Sequence, residues 1–165
     1  WEATGQKYIM GIDGSKIFTR SKHSLLNAYI QSTDSIIMDW ACCYMYDKIK
    51  KEGLDAQRWI YCHDEVNYYT NLKDLSVEYF PIDNEPAQFR DGHQYSKPKL
   101  FREGEVYHFG LPKGEDYKPT DQWIQWYSRV GEICVQAIQK AGKFFGFRVP
   151  LDGEYIIGAS WGHTH

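Results

Sequence analysis

His63, Asp64 and Glu65 form an acidic triplet set between the apolar and aromatic runs at residues 58–62 and 66–69. The β-branched and aromatic residues on both sides predict strand, tight turn, strand over residues 58–69, with the triplet at the tip. Two adjacent carboxylates repel, and a charged turn adds nothing to a core, so the arrangement favours either open solvent or a bound cation. Magnesium takes such hard oxygen ligands. In two-metal phosphoryl transfer, cations ~3.5–4 Å apart activate the attacking oxygen and neutralise the leaving group, and carboxylates hold them. A solvated turn with no ligand is the competing reading.

Such a turn needs a scaffold, and the rest of the sequence predicts one. Asp13-Gly14 sits between two short apolar runs in residues 8–19 and marks a β-hairpin. Over residues 24–51, Leu26, Ile30, Ile37, Ala41, Tyr44, Met45 and Ile49 recur at helical spacing. Gly53 follows as a C-terminal cap, so one long helix is expected, with room for a bend near Ser32-Thr33-Asp34. Residues 72–120 lose periodicity and hold Pro81, Pro86, Pro98, Pro112 and Pro119, which predicts an insertion containing short strands, such as one from Val106 to Phe109. A second helix is expected over residues 121–145, with Trp123, Tyr127, Val130, Cys134, Ile138, Ala141 and Phe145 on its buried stripe and Gly146 at its end. Another strand pair is expected around Asp152-Gly153. This order implies an α+β fold, an antiparallel β-sheet with two long α-helices packed on one face, in a single domain over residues 1–165.

With 165 residues and 42% hydrophobic content, the chain can bury a core of its own. A net charge of −3 excludes a strongly basic nucleic-acid binder, so any contact with phosphate must be local. Cys42, Cys43, Cys62 and Cys134 lack the spacing of a zinc site and read as reduced packing residues. No apolar run approaches the ~20 residues of a membrane span, and no basic-then-apolar signal opens the chain, so no membrane partner and a cytosolic location are expected. Trp1 in place of methionine suggests a piece of something longer.

Tyr61-Cys62-His63-Asp64-Glu65-Val66 resembles motif C of the polymerase-I-like (family A) DNA polymerases, a His-Asp-Glu hairpin flanked by apolar strands. Three more segments fall in the family's order. Residues 11–32 resemble a pattern of its bacteriophage branch, in which a DG hairpin and an Arg-Ser pair precede a helix carrying Asn and, four residues later, Gln. Here these are Arg20-Ser21, Asn27 and Gln31. At that spacing both amides lie on one helical face and can reach one groove of a duplex. The long helix after the acidic hairpin is the third segment. The fourth is the ending Trp161-Gly162-His163-Thr164-His165, which matches a terminal Trp followed four residues on by His and so reads as a genuine end. The resemblance covers about residues 8–70 and 121–165.

The resemblance implies the C-terminal part of the palm of a phage polymerase, working in the cytoplasm of the infected bacterial host. Asp64 would bind the catalytic Mg2+ ions, and Glu65 would tune that site or bind a metal transiently. His63 would touch the primer strand near its 3′ end. Asn27 and Gln31 would read minor-groove acceptors of the newest base pairs, which all four pairs display almost alike. Arg20 and His23 would contact the sugar-phosphate backbone. The family also needs a second metal-binding aspartate, a fingers helix whose lysine and tyrosine grip the dNTP, and a thumb, and none of these patterns occurs in this sequence. The chain is therefore expected to be inactive alone and to act on primer-template DNA with the remaining polymerase portion: fingers, thumb and upstream palm.

Two other functions fit parts of the sequence. Metal-dependent phosphohydrolases carry His-Asp pairs on helices with further histidines nearby, whereas Trp59-Ile60-Tyr61 and Val66-Asn67-Tyr68 favour strands. A nonenzymatic assembly module or split-polymerase subunit is the other alternative. Tyr95, Lys97, Lys99 and Tyr107 in the insertion suggest either a stacking and charge surface or a stabilising loop.

Overall fold

The expected hairpin is the first element among the described residues. β1 (Tyr8–Met10) pairs antiparallel with β2 (Lys16–Phe18), and the Ser15 N–H donates to Asp13 Oδ1 at 2.9 Å to hold the turn. The computed structural model describes residues 7–81, 100–102 and 122–158. A 3-10 turn at Lys22–Ser24 leads into α1 (Leu25–Glu52), a continuous helix of 28 residues. It stops at Gly53, whose φ of 68° lies in the left-handed region that favours glycine, and whose N–H returns to the carbonyls of Ile49 and Lys50.

β3 (Ala56–Cys62) and β4 (Glu65–Thr70) form the acidic hairpin. β5 (Leu75–Pro81) and β6 (Leu100–Arg102) both come from the segment expected as an insertion, and they flank β7 (Gln122–Ser128) in a three-stranded antiparallel sheet of order β5-β7-β6. α2 (Arg129–Phe144) follows directly. The fold is thus α+β with antiparallel sheets and two helices, one of them long. Among the described residues the strands form three small sheets rather than one.

The two helices pack on each other and make the core. Ile37, Ala41, Met45 and Ile49 of α1 recur every four residues and meet Val130, Ile133, Ala137 and Ala141 of α2. Alanines on both helices let the backbones approach, while Met45 and Ile133 are the largest fully buried side chains. Across the far ends, Arg129 grips Glu52 in a bidentate ion pair, Nε to Oε2 at 2.8 Å and Nη2 to Oε1 at 2.9 Å, and its Nη1 reaches Glu132 at 2.7 Å. This pair fixes the first residue of α2 against the last residue of α1.

Two expectations about the C-terminal third are corrected. The second helix starts at Arg129 rather than near residue 121, because residues 122–128 are rich in Trp, Ile and Tyr and pair as β7 between two partners. Ser128 marks the switch: its Oγ accepts the Gly131 N–H at 3.1 Å as an N-cap. Residues 150–158 contain no strand. Leu151 and Tyr155 pack along α2 instead. An ideal Cβ on Gly131 would lie 2.5 Å from the Tyr155 ring, and one on Gly142 would lie 2.8 Å from Leu151, so both glycines permit the tail's close approach. The strand expected from Val106 to Phe109, the residues Tyr95, Lys97, Lys99 and Tyr107, and the ending at 161–165 lie outside the described residues. No helix among the described residues is long and apolar enough to cross a membrane.

Candidate functional site

The acidic hairpin pairs from Ala56–Thr70 to Cys62–Glu65, leaving His63 and Asp64 as a two-residue turn. His63 has a φ of 54°, the only positive value at a non-glycine position among the described residues. Histidine enters this region more readily than most side chains, yet glycine would do so without strain. Asp64 is exposed, and among the described residues no ion pair or hydrogen bond engages its carboxylate. Glu65 is half-buried, and its Oε1 accepts from Asn67 Nδ2 at 2.7 Å. The two neighbouring carboxylates therefore differ: one is oriented by an amide, the other is open.

β3 carries a bulge between Arg58 and Ile60, so Trp59 has no partner across the ladder. One side of the hairpin leans on α1. Tyr68 packs against the helical core, and burial pushes its hydroxyl well above the ordinary range. Burial raises the Cys42 thiol, opposed by the Arg58 guanidinium beside it. Burial, then the Asp39 carboxylate, raises the Tyr61 hydroxyl. Cys134 on α2 is pushed up to about 12 by burial. Cys42 and Cys134 therefore stay protonated near neutral pH, as packing residues rather than thiolate ligands. All four cysteines are free thiols.

A cleft of ≈ 910 Å³ lies between the hairpin, the start of α2 and the tail. Asp64, Glu65, Trp59 and Tyr69 line it from the hairpin, and Gly131 and Tyr155 face them from α2 and the tail. Because Tyr155 rests on the bare backbone of Gly131, the opposite wall stands where a larger residue at that position would not allow it.

The site residues expected from sequence divide into two groups. Asp64 and Glu65 share the cleft, while His63 is exposed at the turn beside it. Arg20 lies just before the 3-10 turn, His23 lies within it, and Asn27 and Gln31 stand on the first half of α1; all four are exposed, and none lines the cleft. Sequence reasoning missed Trp59 and Tyr69 as cleft residues. In sequence they read only as strand formers, and the bulge at Trp59 and the exposure of both residues set them apart.

Magnesium demands a near-octahedral shell of oxygen ligands. Among the described residues no group of three or more His, Cys, Asp or Glu side chains converges to hold a metal. Asp64 presents an open carboxylate that would supply one oxygen ligand. The remaining ligands would come from phosphate, water or residues outside this set.

No family model matches the chain. It is similar to the DNA-directed DNA polymerase of Escherichia phage Phieco32, at 22% identity over 171 residues that take in 99% of this chain and 19% of that polymerase. The chain thus spans less than a fifth of the relative's length, and the similarity runs through residues 72–120 as well.

Proposed function

We propose that this chain is the C-terminal part of the palm of a template-directed DNA polymerase of the polymerase-I-like type, used in bacteriophage DNA replication. One observation carries the assignment: an open carboxylate, Asp64, at the tip of an antiparallel hairpin and on the wall of a cleft, in a chain that is similar over 99% of its residues to a phage DNA polymerase.

In this role Asp64 offers oxygens to the catalytic Mg2+, and Glu65, oriented by Asn67, tunes the same site. Bound there, magnesium would neutralise phosphate charge during nucleotidyl transfer. His63, at the tip, contacts the primer near its 3′ end. Asn27 and Gln31 lie four residues apart on α1 and donate to minor-groove acceptors of the newest base pairs. Arg20 and His23 hold the sugar-phosphate backbone. The second metal-binding aspartate, the fingers that take the dNTP, and the thumb belong to the remaining polymerase. The isolated chain consequently has no polymerase activity, and the assembled enzyme works in the cytoplasm of the infected host.

Asp64→Ala in the complete polymerase tests the assignment. Incorporation should be abolished while primer-template affinity is largely kept, because phosphate contacts elsewhere supply most of the binding. Near-normal turnover by this variant would remove Asp64 from the catalytic role. Primer extension by the purified isolated chain would refute the predicted dependence on the remaining enzyme.

A further inference from the structure

The chain carries a net charge of −3, yet no Asp or Glu occurs between Glu132 and Asp152, where Lys140, Lys143 and Arg148 are interleaved with Phe144, Phe145 and Phe147. The fold joins this stretch to two rings of α1. Trp40 stacks on Tyr44 with ring centroids 6.0 Å apart and on Phe144 at 5.1 Å, Phe144 meets Phe145 edge-on at 5.0 Å, and the Lys140 ammonium lies 5.4 Å over the Tyr44 ring. These contacts make one continuous surface across the two helices. Phe144 is 65% exposed, and Lys140, Lys143 and Arg148 are exposed as well. The Phe147 N–H returns to the Gly142 carbonyl at 3.0 Å, which keeps Arg148 close to the last turn of α2. Among the described residues no ion pair engages any of the three cations. The carboxylates of the second half of α1 are used elsewhere: Asp39 and Asp47 line a pocket on the hairpin side, and Glu52 is held by Arg129 and Lys48. Successive helical residues turn by ~100°, so Trp40 and Tyr44 each lie ~160° around α1 from Cys42, which lines that pocket together with Arg58 of the hairpin. The surface therefore faces away from the hairpin that carries Asp64.

We propose that this surface docks an acidic peptide segment of a partner protein, one that carries an apolar anchor residue among its carboxylates. Charge complementarity selects the occupant. Protein interfaces place aromatic residues at the centre and charged ones at the rim, and rim charge steers and sorts partners. Here the centre is Trp40, Tyr44 and Phe144, and the rim is cationic without balancing carboxylates, so acidic segments are drawn in and basic ones repelled. Nucleic acid fits less well, because rings already stacked on one another do not open to admit a base between them. The inference goes beyond the polymerase reading and does not need it, since the surface and the Asp64 cleft share no lining residue.

The test is fluorescence anisotropy of a short fluorescein-labelled peptide of Asp and Glu around a central Phe, titrated with the full chain. The peptide should bind, and exchanging its Phe for Ser should weaken binding roughly 5- to 30-fold. Phe144→Ala in the chain should cost a similar factor. Lys143→Glu should weaken binding about 10-fold or more, whereas Lys50→Glu, the same charge change on the hairpin side of α1, should shift it by less than about 2-fold. Lys143 is exposed, so its variant should keep the wild-type urea midpoint, which checks that the fold is intact. Unlabelled oligothymidylate should compete poorly. The proposal is overturned by a wild-type chain that does not bind the peptide, by Lys143→Glu or Phe144→Ala binding as tightly as wild type, by equal losses in Lys143→Glu and Lys50→Glu, or by indifference to the Phe of the peptide. Competition by oligothymidylate as strong as that of unlabelled peptide would also overturn it and make the surface a nucleic-acid contact. Peptide binding and the incorporation test at Asp64 succeed or fail separately, so neither result can stand in for the other.

Discussion

Gly131→Ala probes how the wall opposite Asp64 is held. An ideal Cβ at this position lies 2.5, 2.6 and 2.8 Å from Cγ, Cδ2 and Cδ1 of Tyr155, where carbon atoms normally rest ~3.5–4.0 Å apart. The ring must retreat by about 1 Å or more, and overpacking of this kind costs about 1–3 kcal/mol. Against that stands a gain of up to about 1 kcal/mol for alanine over glycine in a helix, smaller in the first turn, where Gly131 sits. The expected net loss is about 0–3 kcal/mol. A value in that range could arise in several ways, so the decisive quantity is the coupling. In a Tyr155→Ala background the new methyl meets vacated space, and Gly131→Ala should become neutral or stabilising. In a Tyr155→Phe background the ring remains and only the hydroxyl that accepts the Ser128 N–H at 3.4 Å is lost, so Gly131→Ala should cost as much as in the wild type. Urea unfolding followed by circular dichroism, compared at a common m value, gives all the free energies. A coupling energy between residues 131 and 155 below about 0.5 kcal/mol means the two act independently and refutes the close-approach argument.

Two further predictions concern the ends of the helices and the hairpin tip. The Arg129 guanidinium, then Lys48, hold the Glu52 carboxyl at about 2, below its ordinary 4.5. A depressed carboxylate stabilises the fold above its unfolded pKa and loses that contribution as pH falls through its folded one. Glu52→Gln should therefore lower the urea midpoint at pH 7, by a margin that shrinks as pH falls from about 4.5 towards 2; a margin independent of pH would refute the ion-pair account. His63→Gly relieves the positive φ and should raise stability by up to about 1 kcal/mol while reducing incorporation in the complete polymerase. Unchanged incorporation would leave His63 an ordinary turn residue.

Much of the fold was legible because its determinants are local. Asp13-Gly14 announced a hairpin, the four-residue spacing from Ile37 to Ile49 announced the buried face of α1, and Gly53 announced its end. The strand-turn-strand reading around His63 likewise rested on neighbours in sequence. Sequence reasoning faltered where one set of residues suited two structures. Trp123 and Tyr127 fit a helical stripe that continues through Val130 and Cys134, and only partners on β5 and β6 decide that they belong to a strand. The tail misled for the same reason: Leu151 and Tyr155 are strand formers whose real contacts are glycines on α2. In the candidate site, Asp64 and Glu65 were visible as an acidic pair, but the cleft was not. Its far wall depends on the meeting of Gly131 and Tyr155, and no periodicity encodes such a meeting.

The packing also explains why Asp64 and the amide pair sit on such different supports. An α-helix rises ~1.5 Å per residue, so α1 with 28 residues is ~42 Å long and α2 with 16 is ~24 Å. Every buried residue of α1 lies at or beyond Ile37, so α2 braces only its second half. The hairpin rests on that braced half through Ala56 and Tyr68, which tie the strands leading to the Asp64 turn to the core. Asn27 and Gln31 stand on the other half, among exposed residues such as Leu26 at 71% and Ile30 at 57%. Anchoring through Ala56 and Tyr68 would suit the metal-binding role proposed for Asp64, since magnesium tolerates little misplacement of its ligands. The difference in support between the two halves of one helix thus follows from where α2 ends.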